Sequence, residues 1–342
     1  PRPAENSRAN ESVSCEVCHT ISAIDESKLY NFSFFASPGR VKYGARGGES
    51  SPVHDLARTD FHDSAKLCAN CHNEQSPWGI YVKGTYNEWL EGPYAEQGVQ
   101  CQTCHMPSAP GQRALTSAAK QDDMRQHLFL GGHVSSKVAG AIEVMIHPDD
   151  TEYELGDTVV FSAHLFNGKA GHKIPTGSVE DRMLYLVVEA QDAEGKKWTL
   201  AVDRKGFNGE EYTIAGAERA YRDFREMMDL PADWDGLPRD GAVPAGSRIF
   251  RMPYFTESGE MTICQWNTAS FGADYRIGPR ENKIETYTWD IPDEAAEGEL
   301  RIHAALYYQL LVDSVADFLE VPDTYKQAQL VSEYETSITI FD

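Results

Sequence analysis

The sequence predicts an α+β protein in which a loop-rich N-terminal domain with short helices is followed by an all-β domain. Three observations support this fold class. The first part of the chain is rich in Gly, Ser, Asn and Pro, six of the seven cysteines lie in it as pairs, and short strand-like runs begin at about residue 141. We therefore place the domains at 1–140 and 141–342, since 342 residues suffice for two domains that each bury a core.

The second part of the chain has the pattern of a β-sandwich. Its runs are rich in β-branched and aromatic residues and are separated by turn sequences such as AEGK and PAGS. This pattern predicts about seven or eight strands. The runs are AIEVMIH, TVVFSAHLFN, RMLYLVVEAQ, KKWTLAV, SRIFRMPYF, IETYTWDI, ELRIHAALYYQLL and YETSITIF. The segment 216–236 breaks the rhythm and predicts a helical insertion, and Cys264 is expected to be a buried, inert thiol.

The charge of the chain excludes two classes of partner. Asp and Glu total 53 against 31 Lys and Arg, which gives a formal net charge of -22. Such a surface repels nucleic acid and anionic lipid. No run of apolar residues is long enough to span a bilayer, so we expect no membrane span.

The paired cysteines carry the chemistry. Each pair is followed at once by a histidine, in CEVCH (15–19), CANCH (68–72) and CQTCH (101–105). This is the spacing of c-type haem attachment, because Cys at i and i+3 share one face of a helical turn and His at i+4 reaches the iron. The motifs predict three haem c groups, with thioethers to Cys15, Cys18, Cys68, Cys71, Cys101 and Cys104 and with His19, His72 and His105 as proximal ligands.

Two other uses of CxxC pairs explain the pattern less well. A zinc site takes two pairs per metal and does not require a histidine after each pair, so three pairs leave one over. A disulfide framework or a redox CxxC does not explain the histidines. Covalent haem is attached outside the cytoplasm, and the chain begins at Pro1. We therefore expect an exported protein, periplasmic or extracellular, whose signal has been removed.

Each iron also calls for a ligand opposite its proximal histidine, and several histidines compete for that position. His54 and His62 precede the second motif; DFHDSAKLCANCH predicts a helix that begins at Thr59 or Asp60 and carries His62. His127 and His133 flank Gly-Gly in HLFLGGH, and His127 is preferred because it adjoins an apolar run.

The histidines of the β-domain divide into two groups. His147, His164 and His303 lie in strand-like runs, where alternation predicts structural roles. His172 lies in GHKIPTG, between turn sequences, and a loop histidine can project to a ligand position. Methionine is the competing ligand, but Met106 directly follows its own motif and Met124 has no supporting context. We expect bis-histidine ligation and low potentials.

The motifs together resemble a known family. The three CxxCH motifs, NEWLEGPYAEQGVQCQTCHMP, HLFLGGH, GHKIPTG and DRMLYLVVEAQDAEGK are similar to the multihaem c-type cytochromes of the cytochrome c-554-like group. The resemblance implies an immunoglobulin-like β-domain after a haem-packed domain. It also implies His54, His127 and His172 as distal ligands, with His133 next. The chain has only three motifs and no CxxCK, so catalysis is not implied.

Electron transfer through three bis-His haems, in periplasmic or extracellular respiration, is the expected function, with redox proteins as donor and acceptor. Three alternatives stay open. One is a haem enzyme with one open iron that acts on a small nitrogen or sulfur oxyanion. Another is an electron-transfer subunit of a larger oxidoreductase, and the last is a homo-oligomer, as in a cytochrome filament.

Overall fold

A computed structural model describes residues 13–47, 52–112, 120–213, 219–239 and 243–341. Short helices and many strands make up this part of the chain, which is an α+β architecture. The α-helices are α1 Cys15–His19, α2 Ala65–His72, α3 Thr85–Leu90, α4 Pro93–Glu96, α5 Cys101–His105, α6 Ser135–Val138, α7 Phe224–Met227 and α8 Asp313–Phe318. Single 3-10 turns lie at Asp60–Asp63, Val179–Asp181, Gln265–Asn267 and Asp323–Tyr325.

The strands are short in the first third of the chain and longer after it. They are β1 Ile21–Ile24, β2 Phe34–Ala36, β3 Val41–Gly44, β4 Asp55–Arg58, β5 Glu74–Gln75, β6 Tyr81–Lys83, β7 Ser108–Gly111, β8 Gln121–Arg125, β9 Glu143–Pro148, β10 Glu152–Glu154, β11 Thr158–Phe166, β12 Met183–Gln191, β13 Lys197–Leu200, β14 Gly206–Phe207, β15 Glu210–Glu211, β16 Arg219–Ala220, β17 Leu237–Pro238, β18 Arg248–Ile249, β19 Tyr254–Phe255, β20 Ser270–Phe271, β21 Asn282–Asp290, β22 Gly298–Gln309 and β23 Gln329–Phe341.

The chain divides into two compact units and passes between them three times. The motif unit consists of Pro1–Glu74 and Gln97–Phe129, and the β unit consists of Gln75–Glu96 and Leu130–Asp342. All three cysteine pairs belong to the motif unit. These units differ from the predicted ranges 1–140 and 141–342, because 75–96 and 130–140 group with the β unit.

The motif unit has little apolar core of its own. Its strands form two-stranded ladders, such as the antiparallel pair β1 and β2 and the parallel pair β3 and β4. Among its described residues the buried apolar side chains are Ile21, Ala65 and Ala69. Larger apolar side chains of this unit are exposed: Val13, Val17, Phe32, Phe35, Val53, Leu128 and Phe129. A unit with so few buried apolar side chains needs further apolar surface to complete a core.

The β unit is built on two sheets that share one core. One sheet has the order β21-β11-β9, and the other has the order β10-β23-β22-β12-β13, with β18 also paired to β12. Strand β11 shows the alternation that its sequence predicts, since Val159, Phe161, Ala163 and Leu165 are buried in this core. The facing strands contribute Leu184, Leu186, Val188, Leu300, Ile302, Ala304, Ile338 and Ile340.

Strand β12 is buried on both faces, which explains its unbroken apolar run MLYLVV. Its second face, with Met183, Tyr185 and Val187, packs in a further apolar cluster that contains Tyr221 and Phe224. Cys264 belongs to this cluster, and burial raises the pKa of its thiol well above the usual range. A thiol in this environment is inert, as the sequence predicts.

The helical insertion expected at 216–236 is wrong for the described residues of that segment, which begin at 219. They form one helical turn, α7, between the paired strands β16 and β17. The apolar residues that suggested a helix are instead spread over the cluster that covers β12. Within the described ranges, no helix is long and apolar enough to cross a membrane.

Candidate functional site

Each CxxCH motif forms a helical turn in the motif unit. The first and third motifs are the whole of α1 and α5, and the second ends α2. In all three, the two cysteines are therefore three residues apart on a helix, and the histidine ends that helix. This is the arrangement in which both sulfurs lie on one side of the helix and the imidazole follows on the next position.

His19 is held by its backbone surroundings in the manner of a metal ligand. Its Nδ1 atom lies 2.6 Å from the carbonyl oxygen of Tyr43 in β3. Because a carbonyl only accepts, Nδ1 carries the proton and the lone pair is on Nε2. A hydrogen bond from the second ring nitrogen is what fixes the tautomer and the orientation of ligating histidines.

The ring of His127 lies near that of His19, at the separation expected for two imidazoles on one iron. The ring centroids are 5.9 Å apart, with an interplanar angle of 43°. Two metal–imidazole bonds of about 2 Å each, together with the ring radii, place trans imidazoles about 6 Å apart. Burial and, to a smaller extent, the proximity of His19 lower the pKa of His127. A hydrogen bond to the Arg125 backbone raises this pKa but is outweighed. A lowered pKa keeps the imidazole neutral, as ligation requires.

The side chains next to His127 fit a porphyrin. Phe129 has its ring centroid 6.0 Å from that of His127, and Leu128 and Phe129 are 52% and 54% exposed. A haem edge would cover this apolar surface, which gains about 25 cal/mol per Å² of area removed from water. Together with the small core of the motif unit, these residues fit a haem at the first motif.

His62 also lies beside His19, but its ring nitrogens have partners in the protein. The ring centroids of His19 and His62 are 5.9 Å apart. Nε2 of His62 lies 3.0 Å from the carbonyl oxygen of Cys18, and Nδ1 accepts a hydrogen bond from the Thr59 hydroxyl. Burial lowers the pKa of His62, so the ring is neutral. This bonding suits a residue that holds the end of α1.

The helix predicted from Thr59 or Asp60 begins later in the structure. Asp60–Asp63 form a 3-10 turn, and α2 starts at Ala65 with Ser64 as its N-cap. Ser64 Oγ accepts a hydrogen bond from the backbone N–H of Lys66 at 3.3 Å. His62 is therefore on the turn before the helix, from which it can reach the first motif.

The second and third motifs are neighbours. The thiols of Cys68 and Cys101 interact closely enough to shift each other's pKa, upward for Cys68 and downward for Cys101. Both sulfurs become thioethers when haem is attached, so neither carries a proton in that form. Their contact places the first attachment points of two motifs side by side.

The other distal candidates lie at different places. His54 is half-buried just before β4 in the motif unit, and His133 is exposed in a turn of the β unit. Gly132, beside His133, approaches Tyr308 so closely that an added Cβ would lie 2.5 Å from the Tyr308 hydroxyl. A larger residue at this position would displace the Tyr308 side chain, which is a packing reason for Gly132.

His172 lies in a loop that the β unit holds from several sides. Its Nδ1 lies 2.8 Å from the Lys173 carbonyl oxygen, which puts the proton on Nδ1. Asn167 donates to the His172 carbonyl oxygen at 3.1 Å. Further along the loop, after a cis peptide bond before Pro175, Thr176 donates to Glu88 of α3 at 2.6 Å. Glu88 in turn pairs with Arg276 at 2.5 Å.

The strand histidines have partners within the β unit. The rings of His147 and His164 are in edge contact at 4.6 Å, and His164 bonds Ser162 at 3.1 Å. His303 lies 3.1 Å from Glu333. These contacts suit the structural roles that their alternation predicts. No three His, Cys, Asp or Glu side chains of the described ranges are grouped as a bare metal ion would require.

Sequence reasoning missed the residues that orient the candidate ligands. Tyr43 contributes a backbone carbonyl, which any residue type can supply, so no sequence pattern marks it. Gln102 had a weak indication, because it lies inside the third motif; it is 2% exposed and donates to the carbonyl of Ser64 at 2.8 Å.

Comparison with known proteins places the fold. The chain is similar to the solved structure of a penta-heme cytochrome c552 from Thermochromatium tepidum, with a TM-score of 0.65, 20% identity, and coverage of 95% of this chain and 76% of that chain. This similarity shows a shared fold. No protein-family model matches the chain, and no curated protein matches it.

Two further solved structures match with low scores. The CARDB domain of the PF1109 protein from Pyrococcus furiosus has a TM-score of 0.22 and 12% identity, with 58% of this chain and 87% of that chain covered. The sporulation control protein Spo0M from Bacillus subtilis has a TM-score of 0.23 and 12% identity, with 59% and 49% covered. Scores this low carry no argument about the chain.

Proposed function

We propose that this chain is an exported electron-transfer protein that carries three c-type haems, one at each CxxCH motif, with histidine on both sides of each iron. The observation that carries the proposal is the pairing of His19, oriented by Tyr43, with His127 at the separation of trans imidazoles. The fold shared with a solved penta-heme cytochrome supports the same class. As part of the same proposal, the chain is a member of the cytochrome c-554-like group and its β unit is immunoglobulin-like.

The residues of the first motif have distinct tasks. A bound haem supplies the one-electron couple of its iron. Cys15 and Cys18 would tether the porphyrin, and His19 would offer Nε2 to the iron because the Tyr43 carbonyl oxygen accepts the proton of Nδ1. His127 would supply a second imidazole, and the apolar Leu128 and Phe129 would exclude water from the group. Two imidazoles favour a lower potential than imidazole with methionine, which suits transfer at low potential.

At the other two motifs, His72 and His105 would be the proximal ligands, and the distal ligands would come from His54, His133 and His172. His172 is supported by its protonated Nδ1, which leaves the lone pair on Nε2 as in other ligating histidines. The hydrogen bond from Gln102 of the third motif to Ser64, the N-cap of α2, supports short electron transfer between the second and third haems.

Redox proteins are the proposed donor and acceptor. The net charge of -22 attracts basic partners over the range of a Debye length, about 8 Å at physiological ionic strength. Such steering accelerates encounter more than it tightens binding. We place these reactions in the periplasm or outside the cell, where covalent haem is attached.

The test is a haem count together with a spin-state measurement on the exported full chain. We expect three haems per chain by pyridine haemochrome, a fully low-spin ferric spectrum, and no binding of cyanide. A Cys68→Ala, Cys71→Ala double variant should carry one haem fewer. A high-spin component or cyanide binding in the untreated protein would instead support a haem enzyme with an open iron, and a count below three would overturn the proposal.

A further inference from the structure

A single short segment of the motif unit contacts all three CxxCH motifs. It comprises residues 59–65 and runs from the end of β4 to the first residue of α2. We call it the 59–65 connector. We infer that this connector sets the positions of the three attachment helices relative to one another, with His62 and Gln102 as positioning residues. The inference rests on the proposed function, because what these helices position is three haems.

The connector reaches the first motif through a side chain. His62, 8% exposed, donates from Nε2 to the carbonyl oxygen of Cys18 at 3.0 Å. The Thr59 hydroxyl donates to Nδ1 of the same ring and so fixes its tautomer and rotation. The accepting carbonyl belongs to the residue directly before His19, so a shift of the His62 ring moves the end of α1.

The second motif follows the connector without a break. Ser64 caps α2, and its backbone carbonyl and that of His62 both point toward the third motif, where they accept hydrogen bonds. The first residue of α2, Ala65, is fully buried. The start of the second motif helix is therefore fixed by the same residues that hold the first motif.

The third motif is joined to the connector by two glutamines. Gln102, inside CQTCH, donates from Nε2 to the carbonyl oxygens of Ser64 at 2.8 Å and His62 at 3.2 Å. Gln100, the N-cap residue of α5, accepts from the backbone N–H of Ala65 at 2.8 Å. Because Gln102 is buried, removal of its amide leaves the buried carbonyl of His62 and the half-buried carbonyl of Ser64 without this donor.

The rate of electron exchange between haems falls steeply as their separation grows. The rate therefore depends on where the attachment helices place the haems. In this proposal, a few hydrogen bonds of the connector fix the spacing of the attachment helices. It also assigns His62 a role other than ligation, since both of its ring nitrogens are used to hold neighbouring groups. His62 therefore acts through Cys18, and Gln102 acts through Ser64.

The experiment measures redistribution of electrons among the haems of the full chain after a substoichiometric pulse of reductant. The variants are His62→Phe, which keeps a ring and removes both hydrogen bonds, and Gln102→Met, which keeps the length and removes the amide. His62→Gln is the conservative variant, because its amide N–H can still reach the Cys18 carbonyl. Thr268→Val is the matched control: Thr268 is fully buried in the β unit, and its hydroxyl donates to the carbonyl oxygen of Cys264 at 3.0 Å, so the variant also removes a buried hydrogen bond.

We expect slower redistribution in His62→Phe and in Gln102→Met, a rate near that of the unmodified protein in His62→Gln, and an unchanged rate in Thr268→Val. All four should keep three low-spin haems. Unchanged rates in both His62→Phe and Gln102→Met would overturn the inference, and so would a high-spin haem in His62→Phe, because His62 would then be a ligand. If His62→Phe does not fold, Gln102→Met decides the outcome by itself. A wild-type chain with fewer than three haems would overturn the proposed function instead.

Discussion

His62 and His127 place their ring centroids at the same distance, 5.9 Å, from the ring of His19, but they differ in how their nitrogens are used. His62 bonds the Thr59 hydroxyl and the Cys18 carbonyl, while His127 lies beside the exposed apolar residues Leu128 and Phe129. Distance alone does not separate a ligand from a supporting histidine. The bonding of the ring nitrogens does.

Replacement of His127 by alanine should open one iron. We expect His127→Ala to keep three haems, with one of them partly high-spin and able to bind cyanide. His62 is the other described ring at this distance from His19, and both of its nitrogens are held in hydrogen bonds. The measurement is the ferric electronic spectrum with and without cyanide. His303→Ala is the control, since His303 contacts Glu333 within the β unit. A fully low-spin His127→Ala protein would show that His127 is not a ligand.

Loss of the haems should unfold the motif unit and spare the β unit. Among the described residues of the motif unit, the buried apolar side chains are only Ile21, Ala65 and Ala69. Without porphyrins this unit therefore lacks a core. In a Cys15→Ala, Cys68→Ala, Cys101→Ala variant, limited proteolysis should cut before residue 75 and within 97–129, while the strand signal in circular dichroism persists. A protease-resistant motif unit in this variant would contradict the expectation.

The stability of the β unit should depend on pH through Asp181. Burial raises the pKa of this carboxyl to about 6, against an unfolded value of about 3.9. Between these values the native state holds a proton that the unfolded state has released, so stability falls as pH rises from about 4 to about 6.

The Asp181→Asn variant tests this sign. It removes the ionisable group, so it should be more stable than the unmodified protein at pH 7.5, by at most about 3 kcal/mol, and equal to it near pH 4. Urea unfolding followed by far-UV circular dichroism gives both differences. Exposed Asp233→Asn should show no such pH-dependent gain. An equal effect of Asp181→Asn at both pH values would exclude the titration as its cause.

The core between the two sheets should respond to truncation of β12. Leu186 is fully buried there, and Leu186→Ala should lower the free energy of unfolding by about 2–5 kcal/mol through lost burial and a cavity. Leu330→Ala, at a side chain 42% exposed in β23, should change it by less than about 0.5 kcal/mol. Similar urea midpoints for the two variants would mean that β12 does not lie in the core.

Local patterns predicted most of the elements, and long-range contacts explain what they missed. The alternation in TVVFSAHLF predicted both β11 and its inward residues, because a period of two depends only on neighbouring positions. The segment 216–236 was misjudged as helical, because its apolar residues serve a cluster formed with β12 and α8. Neither the Tyr43 carbonyl beside His19 nor the Thr59 hydroxyl on His62 leaves a pattern in sequence.

The ion pair between Glu88 and Arg276 joins residues that are 188 positions apart. Glu88 lies in Gln75–Glu96, the segment of the β unit that the chain inserts between the second and third motifs. A chain made from its N-terminus exposes this segment long before Arg276 exists. All three CxxCH motifs are complete by residue 105, whereas the β unit lacks the partner of Glu88 until residue 276 has been made.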